Sequence, residues 1–188
     1  MNDRVRLNNA IGISRSQKSE MILVTGISGV GKTYTIERFV ELSPNYLYGR
    51  ASKVLAELGR PTTNLSREML VENQVALQET IHEMALRHGD QLILDGHAVL
   101  EDTNSSTLEV AALFPDIPIA AIVLIYDDPS VLQARRRSKG RSHSEYEIRH
   151  LQALERKTSE EWASSIDARF HLVKSGHLAD FETALTSR

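Results

Sequence analysis

The stretch VTGISGVGKTYTI, Val24 to Ile36, decides the fold. Between Gly26 and Thr33 it packs three glycines, a lysine and a threonine into eight positions, directly behind the apolar run MILVT at 21–25. An apolar run that ends on glycine reads as a buried parallel strand, and Thr33 to Leu42, closed by Ser43-Pro44, reads as a helix. Gly26-Ile-Ser-Gly-Val-Gly-Lys-Thr33 therefore fits G-x-x-x-x-G-K-[ST] in its required setting, after a strand and before a helix. Glycines let such a loop curl until several N–H groups point inward at phosphate oxygens, and the helix start adds its positive end. Lys32 supplies a full charge to the β- and γ-phosphates, and Thr33 a hydroxyl ligand for Mg²⁺. We take Gly26, Ser28, Gly29, Val30, Gly31, Lys32, Thr33 and Tyr34 as the set that binds ATP.

Working outward, the chain alternates strands with helices. NYLYG (45–49) suits a second strand and 51–58 a short helix ended by Gly59 and Pro61. Arg67 to His88 is a long helix with Leu70, Leu77, Ile81 and Met84 at spacings of seven, four and three. QLILDG (91–96) and IAAIVLIY (119–126) are strands. Asp128-Pro129 opens a helix, 145–167 forms another, FHLV (170–173) is the last strand and 178–186 a closing helix. This order predicts an α/β, P-loop NTPase three-layer sandwich around a central parallel five-stranded sheet, nucleotide-kinase-like with a short lid. One domain spans 21–188, with an acceptor-binding region at about 46–90 and a lid at about 136–145; residues 1–20 read as a flexible extension.

Composition narrows the classes. The 188 residues are 41% hydrophobic and 25% charged, ordinary for a globular protein. With 22 basic and 25 acidic residues the formal charge is −3, which gives no general affinity for nucleic acid. No cysteine is present, so disulfides and thiolate metal sites are excluded. No apolar run reaches membrane-spanning length, and the first twenty residues have no secretory pattern, so a cytoplasmic location is expected. No N-K-x-D guanine-reading motif appears. An AAA-type ATPase normally needs a larger core and a helical lid domain. A compact P-loop kinase fits the length, and it needs cations that close over the transferred group.

LQARRRSKGRSHSEYEIRH (132–150) supplies them, with Arg135, Arg136, Arg137, Lys139, Arg141 and Arg149 around Gly140 and three serines. It reads as a lid whose arginines reach inward when nucleotides bind, although a solvated basic turn has the same composition. Asp95, at the carboxyl end of its strand, is placed to hold Mg²⁺ directly or through water. His97 either lines the site or bonds backbone. Asn73 and Gln74 interrupt the apolar stripe of the 67–88 helix, and Arg67, Gln74 and Gln78 share one face. That face lines a cleft or is a half-exposed flank. Arg149 and Arg156 are likewise seven apart on one helix.

The chain resembles the archaeal-type adenylate kinases, small P-loop nucleoside monophosphate kinases. VTGISGVGKT is similar to that family's VTGxPGVGKT, and VENQVALQ (71–78) to its helix segment. DGHAVL (95–100) is similar to its D-T-H-A-V-I, and DDPSVLQARR (127–136) to its D-P-x-x-I-L-x-R ahead of the lid. The resemblance implies ATP-dependent phosphorylation of a nucleoside monophosphate, AMP or dAMP, with Mg²⁺. It implies that Arg67 is the acceptor-site arginine, Arg135 the lid-leading arginine, and Arg156 the arginine of the helix after the lid. PTTNLS (61–66) and RSHSEY (141–146) depart from the family's pattern. A kinase of a nucleoside or other small hydroxyl metabolite, or a nucleotide-binding regulatory protein, therefore stays open beside the monophosphate kinase.

Overall fold

In the computed structural model, residues 20–111, 117–138 and 143–187 are described. The expected extension at 1–20, apart from Glu20, and residues 139–142 of the expected lid, Arg141 among them, lie outside them.

The first strand, β1 (Met21–Thr25), is buried along its whole length. It lies between β3 (Leu92–Asp95) and β6 (Ile119–Tyr126), and β2 (Leu47–Arg50) and β7 (Arg169–Lys174) flank these to complete a sheet in the order β2-β3-β1-β6-β7. Every pairing is parallel. Because strand side chains alternate, β1 sends Met21 and Leu23 to one face and Ile22 and Val24 to the other. On the first face they meet α2 (Ala51–Glu57), α3 (Arg67–His88) and the end of α5 (Glu145–Ser165) through Val54, Leu55, Leu77, Ile81 and Trp162. On the second they meet α1 (Lys32–Leu42), α4 (Pro129–Arg137), the start of α5 and α6 (Leu178–Thr186), with Phe39, Leu132, Ile148 and Phe181 in contact. The outcome is the expected three-layer sandwich with a parallel five-stranded sheet.

Local chemistry sets the boundaries. Ser66 accepts from the Met69 N–H at 3.3 Å and starts α3, and Gly89 at φ 52° ends it. A reciprocal capping box between Ser144 and Glu147 starts α5. That helix stops at Ser165, two residues short of the expected 167, where the chain turns and Asp167 takes φ 56°. Strand β2 begins at Leu47 rather than at 45, because Tyr46 is in the turn and packs edge-on against Phe39 at 5.1 Å.

An antiparallel hairpin, β4 (Val99–Glu101) with β5 (Thr107–Glu109), was not foreseen. The Asp102 carboxylate accepts from the N–H groups of Asn104 and Ser106 and closes its tip. Among the described residues, no helix is long and apolar enough to cross a membrane.

Candidate active site

The loop between β1 and α1 stands at the carboxyl end of the sheet, on the central strand. Two of its glycines are obligatory. At Gly26, φ is +136° and a Cβ would lie 2.5 Å from the Ile125 carbonyl oxygen of neighbouring β6. At Gly31, the residue that caps α1, φ is +108° and a Cβ would lie 2.2 Å from Ser175 Oγ. The segment after β7 is thus packed onto the loop; the Ser175 N–H donates to Tyr126 O at 2.8 Å and the Gly176 N–H to Thr35 Oγ1 at 3.1 Å.

Lys32 is buried, at 6% exposure. Its ammonium donates to the Gly26 carbonyl, lies 3.5 Å from His97 Nε2 and 3.8 Å from Asp95 Oδ1. Burial pulls its pKa below the usual lysine value, while the Asp95 and Glu155 carboxylates act in the opposite direction. Asp95 Oδ2 accepts from Thr33 Oγ1 at 3.1 Å and from the Tyr48 hydroxyl at 3.0 Å. Burial, and then the Asp95 charge, raises the Tyr48 pKa, so its hydroxyl stays protonated. His97 is held well below the ordinary histidine pKa by burial first and by the Lys32 and Arg136 charges second, so its ring is neutral.

α4 contributes cations. Arg135 Nη1 lies 2.9 Å from Asp127 Oδ2 and donates to the Val30 carbonyl at 3.4 Å. Arg136 is almost fully buried and places Nε and Nη2 on the Ser28 carbonyl at 3.2 and 2.9 Å. From α5, the buried Glu155 carboxylate accepts from the Gly26 and Ala98 N–H groups through Oε1 and from Val99 through Oε2.

The residues singled out from sequence are thus distributed unevenly. Lys32, Thr33, Asp95 and His97 converge, and Arg135 reaches the loop. Arg67 is exposed on the first turn of α3, where Nη1 donates to the Thr107 carbonyl of the hairpin at 3.1 Å. Arg156 is exposed on the outer side of α5, in a shallow depression with Ala153, Lys157, Glu160 and Glu161, so the structure does not bring it to the loop. Asn73 is buried and spends its amide on the Pro61 carbonyl at 2.8 Å, which fixes the segment before α3. Glu155 and Tyr48 belong to the site and were not assigned from the sequence, and Arg136, read there only as one cation of the basic run, holds the loop directly. For Glu155 the signal was present: it lies seven residues from both Ile148 and Trp162, on the buried stripe.

Thr33 and Asp95 present a hydroxyl and a carboxylate oxygen side by side, a hard-oxygen pair that suits a divalent cation held mainly by substrate phosphates. Chemically, the site can neutralise phosphate charge from several sides in a desolvated setting.

Solved structures that share the architecture include two kinases. A sugar kinase from Janibacter sp. HTCC2649, in an unliganded structure, aligns with a TM-score of 0.54 at 19% identity, over 89% of this chain and 92% of that one. A gluconokinase from Sinorhizobium meliloti 1021 aligns with a TM-score of 0.51 at 18% identity, again over 89% and 92%. At such identities the likeness establishes the fold of P-loop kinases. No curated protein matches the sequence. A family model described as AAA domain matches residues 25–152, from the end of β1 into α5. Chain length had counted against an AAA-type protein, and this match corrects that expectation at the level of family, since what it covers is the P-loop core itself. Spanning more than half of the chain, the match places the protein in the AAA domain family.

Proposed function

We propose that the protein transfers the γ-phosphoryl group of ATP to a small acceptor, AMP or dAMP in the first instance. The observation that carries the reading is Lys32, a desolvated cation on a phosphate-cradling loop with Asp95 and His97 beside it. An ammonium there is preorganised toward the charge that develops on the transferring group, and α1 directs its positive end to the same place. Thr33 and Asp95 would hold Mg²⁺, which supplies charge neutralisation on the β- and γ-phosphate oxygens. Arg135 and Arg136, on the helix that leads into residues 138–144, are the flanking cations, and Arg141 is proposed to join them. Arg67, exposed at the start of α3 and bonded to the hairpin, is the proposed acceptor-phosphate arginine, a role that suits a guanidinium fork.

A second reading, transfer to a hydroxyl metabolite, is favoured by one feature. The Tyr48 hydroxyl, the Asp95 carboxylate and the neutral His97 ring lie together beside Lys32, a group able to bind a hydroxyl and accept its proton. The two structural relatives are themselves named as a sugar kinase and a gluconokinase.

ADP formation from ATP and Mg²⁺, followed across AMP, dAMP, other monophosphates, nucleosides, hexoses and sugar acids, separates the readings. Turnover is expected with AMP or dAMP. A hydroxyl compound used better than either installs the second reading. Tight ATP binding without turnover on any acceptor would refute phosphoryl transfer and indicate a regulatory nucleotide-binding protein.

A further inference from the structure

We infer that Glu155 is a positioning residue that locks the phosphate loop and the His97 segment into one unit; its catalytic consequence rests on the phosphotransferase reading above. Glu155 is 1% exposed, at a helix position flanked at seven residues by Ile148 and Trp162, where an aliphatic side chain would also pack. Burying a carboxylate is costly unless its oxygens are satisfied. Its hydrogen bonds go to three backbone N–H groups on two separate segments, the phosphate loop and the run from His97 into β4: Gly26 at 2.9 Å, Ala98 at 3.0 Å and Val99 at 2.9 Å.

These contacts fall where geometry matters. Gly26 is held on both sides, with its N–H on Glu155 and its carbonyl on the Lys32 ammonium, so the two peptide groups that flank its Cα are both fixed. Ala98 and Val99 directly follow His97, so the same carboxylate fixes the backbone that keeps the His97 ring 3.5 Å from Lys32. Lys32 and its histidine neighbour are thereby referenced to a single side chain on α5. Two further carbonyls of the loop are held from α4, where Arg136 grips that of Ser28 and Arg135 that of Val30. The two helices that flank residues 138–144 thus hold the same loop, α4 by its carbonyls and α5 by an N–H.

One turn further along α5, Ser159 Oγ bonds Thr25 Oγ1 at 2.9 Å. That bond ties the helix to the same strand end but touches neither Gly26 nor the His97 segment, and it provides the control. Glu155→Asp keeps the charge and withdraws it by one methylene. Glu155→Gln keeps the shape but sets an amide N–H against the N–H of Gly26 and Ala98 or against that of Val99. In a folded protein, each should lower kcat by about 10–100-fold with the KM for ATP moving by no more than about threefold, the signature of misplacement rather than lost binding.

Ser159→Ala should lower Tm and leave kcat alone. Amide exchange, measured residue by residue on the full chain, should accelerate together at Gly26, Ala98 and Val99 in Glu155→Asp and stay slow at all three in Ser159→Ala. If Glu155→Asp loses stability but retains kcat per folded molecule, or if Ser159→Ala reproduces its losses, Glu155 is a satisfied core carboxylate and the inference is overturned. Should the wild-type protein use no acceptor at all, the phosphotransferase reading fails separately. Glu155 is then judged on the exchange pattern, and independent acceleration at Gly26 and at Ala98 and Val99 rejects the linked unit.

Discussion

Replacing Lys32 with methionine isolates its charge from its bulk. The side chain is 6% exposed, and methionine follows nearly the same path, so the pocket stays filled. Three contacts disappear: the donation to the Gly26 carbonyl, the approach to His97 Nε2 at 3.5 Å, and the Asp95 ion pair at 3.8 Å. For stability the terms oppose one another. A hydrogen bond from a charged donor contributes about 1.5–3 kcal/mol, and its loss is offset by no longer burying an ammonium whose pKa is already drawn down by desolvation. Asp95 keeps the Thr33 and Tyr48 hydroxyls as donors. The variant should therefore fold, with Tm displaced by only a few degrees, since about 1 kcal/mol corresponds to roughly 2–4 °C in a domain of this size. Catalysis has no such offset. Removing one preorganised donor from a developing oxyanion costs about 10²–10³ in kcat, or about 2.7–4 kcal/mol of transition-state stabilisation. Circular dichroism establishes folding, equilibrium titration gives ATP affinity, and ADP release gives kcat. A folded Lys32→Met protein whose kcat stays within tenfold of wild type would refute the assignment of this loop to phosphoryl transfer.

Gly31→Ala places a Cβ 2.2 Å from Ser175 Oγ at a φ of +108°, so it should cost about 1–3 kcal/mol in stability and weaken ATP binding in an equilibrium titration. Arg67→Ala should raise the KM for AMP by tenfold or more with the KM for ATP unchanged, about the worth of one charge-assisted hydrogen bond; an unchanged AMP value removes Arg67 from the acceptor site. His171 is held below the ordinary histidine pKa of 6.5 by burial and by Arg169, and its Nε2 is buried without a partner among the described residues. As pH falls, the unfolded chain takes up that proton first, so stability present above about pH 6.5 is lost as pH drops toward the folded-state value. Thermal melts between about pH 7.5 and pH 5.5 should show the loss, and His171→Leu should flatten part of it, while His97, shifted the same way, continues to contribute.

Where the chain's own chemistry is local, its sequence was readable. β1 and β6 have the residue ranges expected of them because each is an apolar run buried on both faces, bounded by Gly26 in one case and by Asp127-Asp128-Pro129 in the other. α3 starts at a serine cap and ends at a positive-φ glycine, both visible as residue types. The β4–β5 hairpin escaped because each strand has three residues, too few for alternation to register, and because its turn is made by an aspartate side chain rather than by glycine or proline.

At the site, the limit lies between residue type and direction. Lys32 and Thr33 are assigned by a motif whose spacing encodes its own geometry, so the loop, the helix start and the strand end follow together. On α5 the resemblance carried an arginine to position 156, but successive helix residues are rotated by about 100°, and that one step separates the outer surface from the interior. The adjacent Glu155 is the residue that faces the loop, in phase with Ile148 and Trp162. Periodicity gives this phase when it is taken from the large apolar residues of the stripe: Glu155 stands seven residues from both Ile148 and Trp162, whereas Arg156 stands eight from one and six from the other. An ionisable group on a buried stripe must find partners, and three N–H groups from two separate segments are what the fold offers it. The general lesson is physical: before a charged residue on a helix is given a role by likeness, its azimuth should be fixed from the apolar residues three, four and seven positions away.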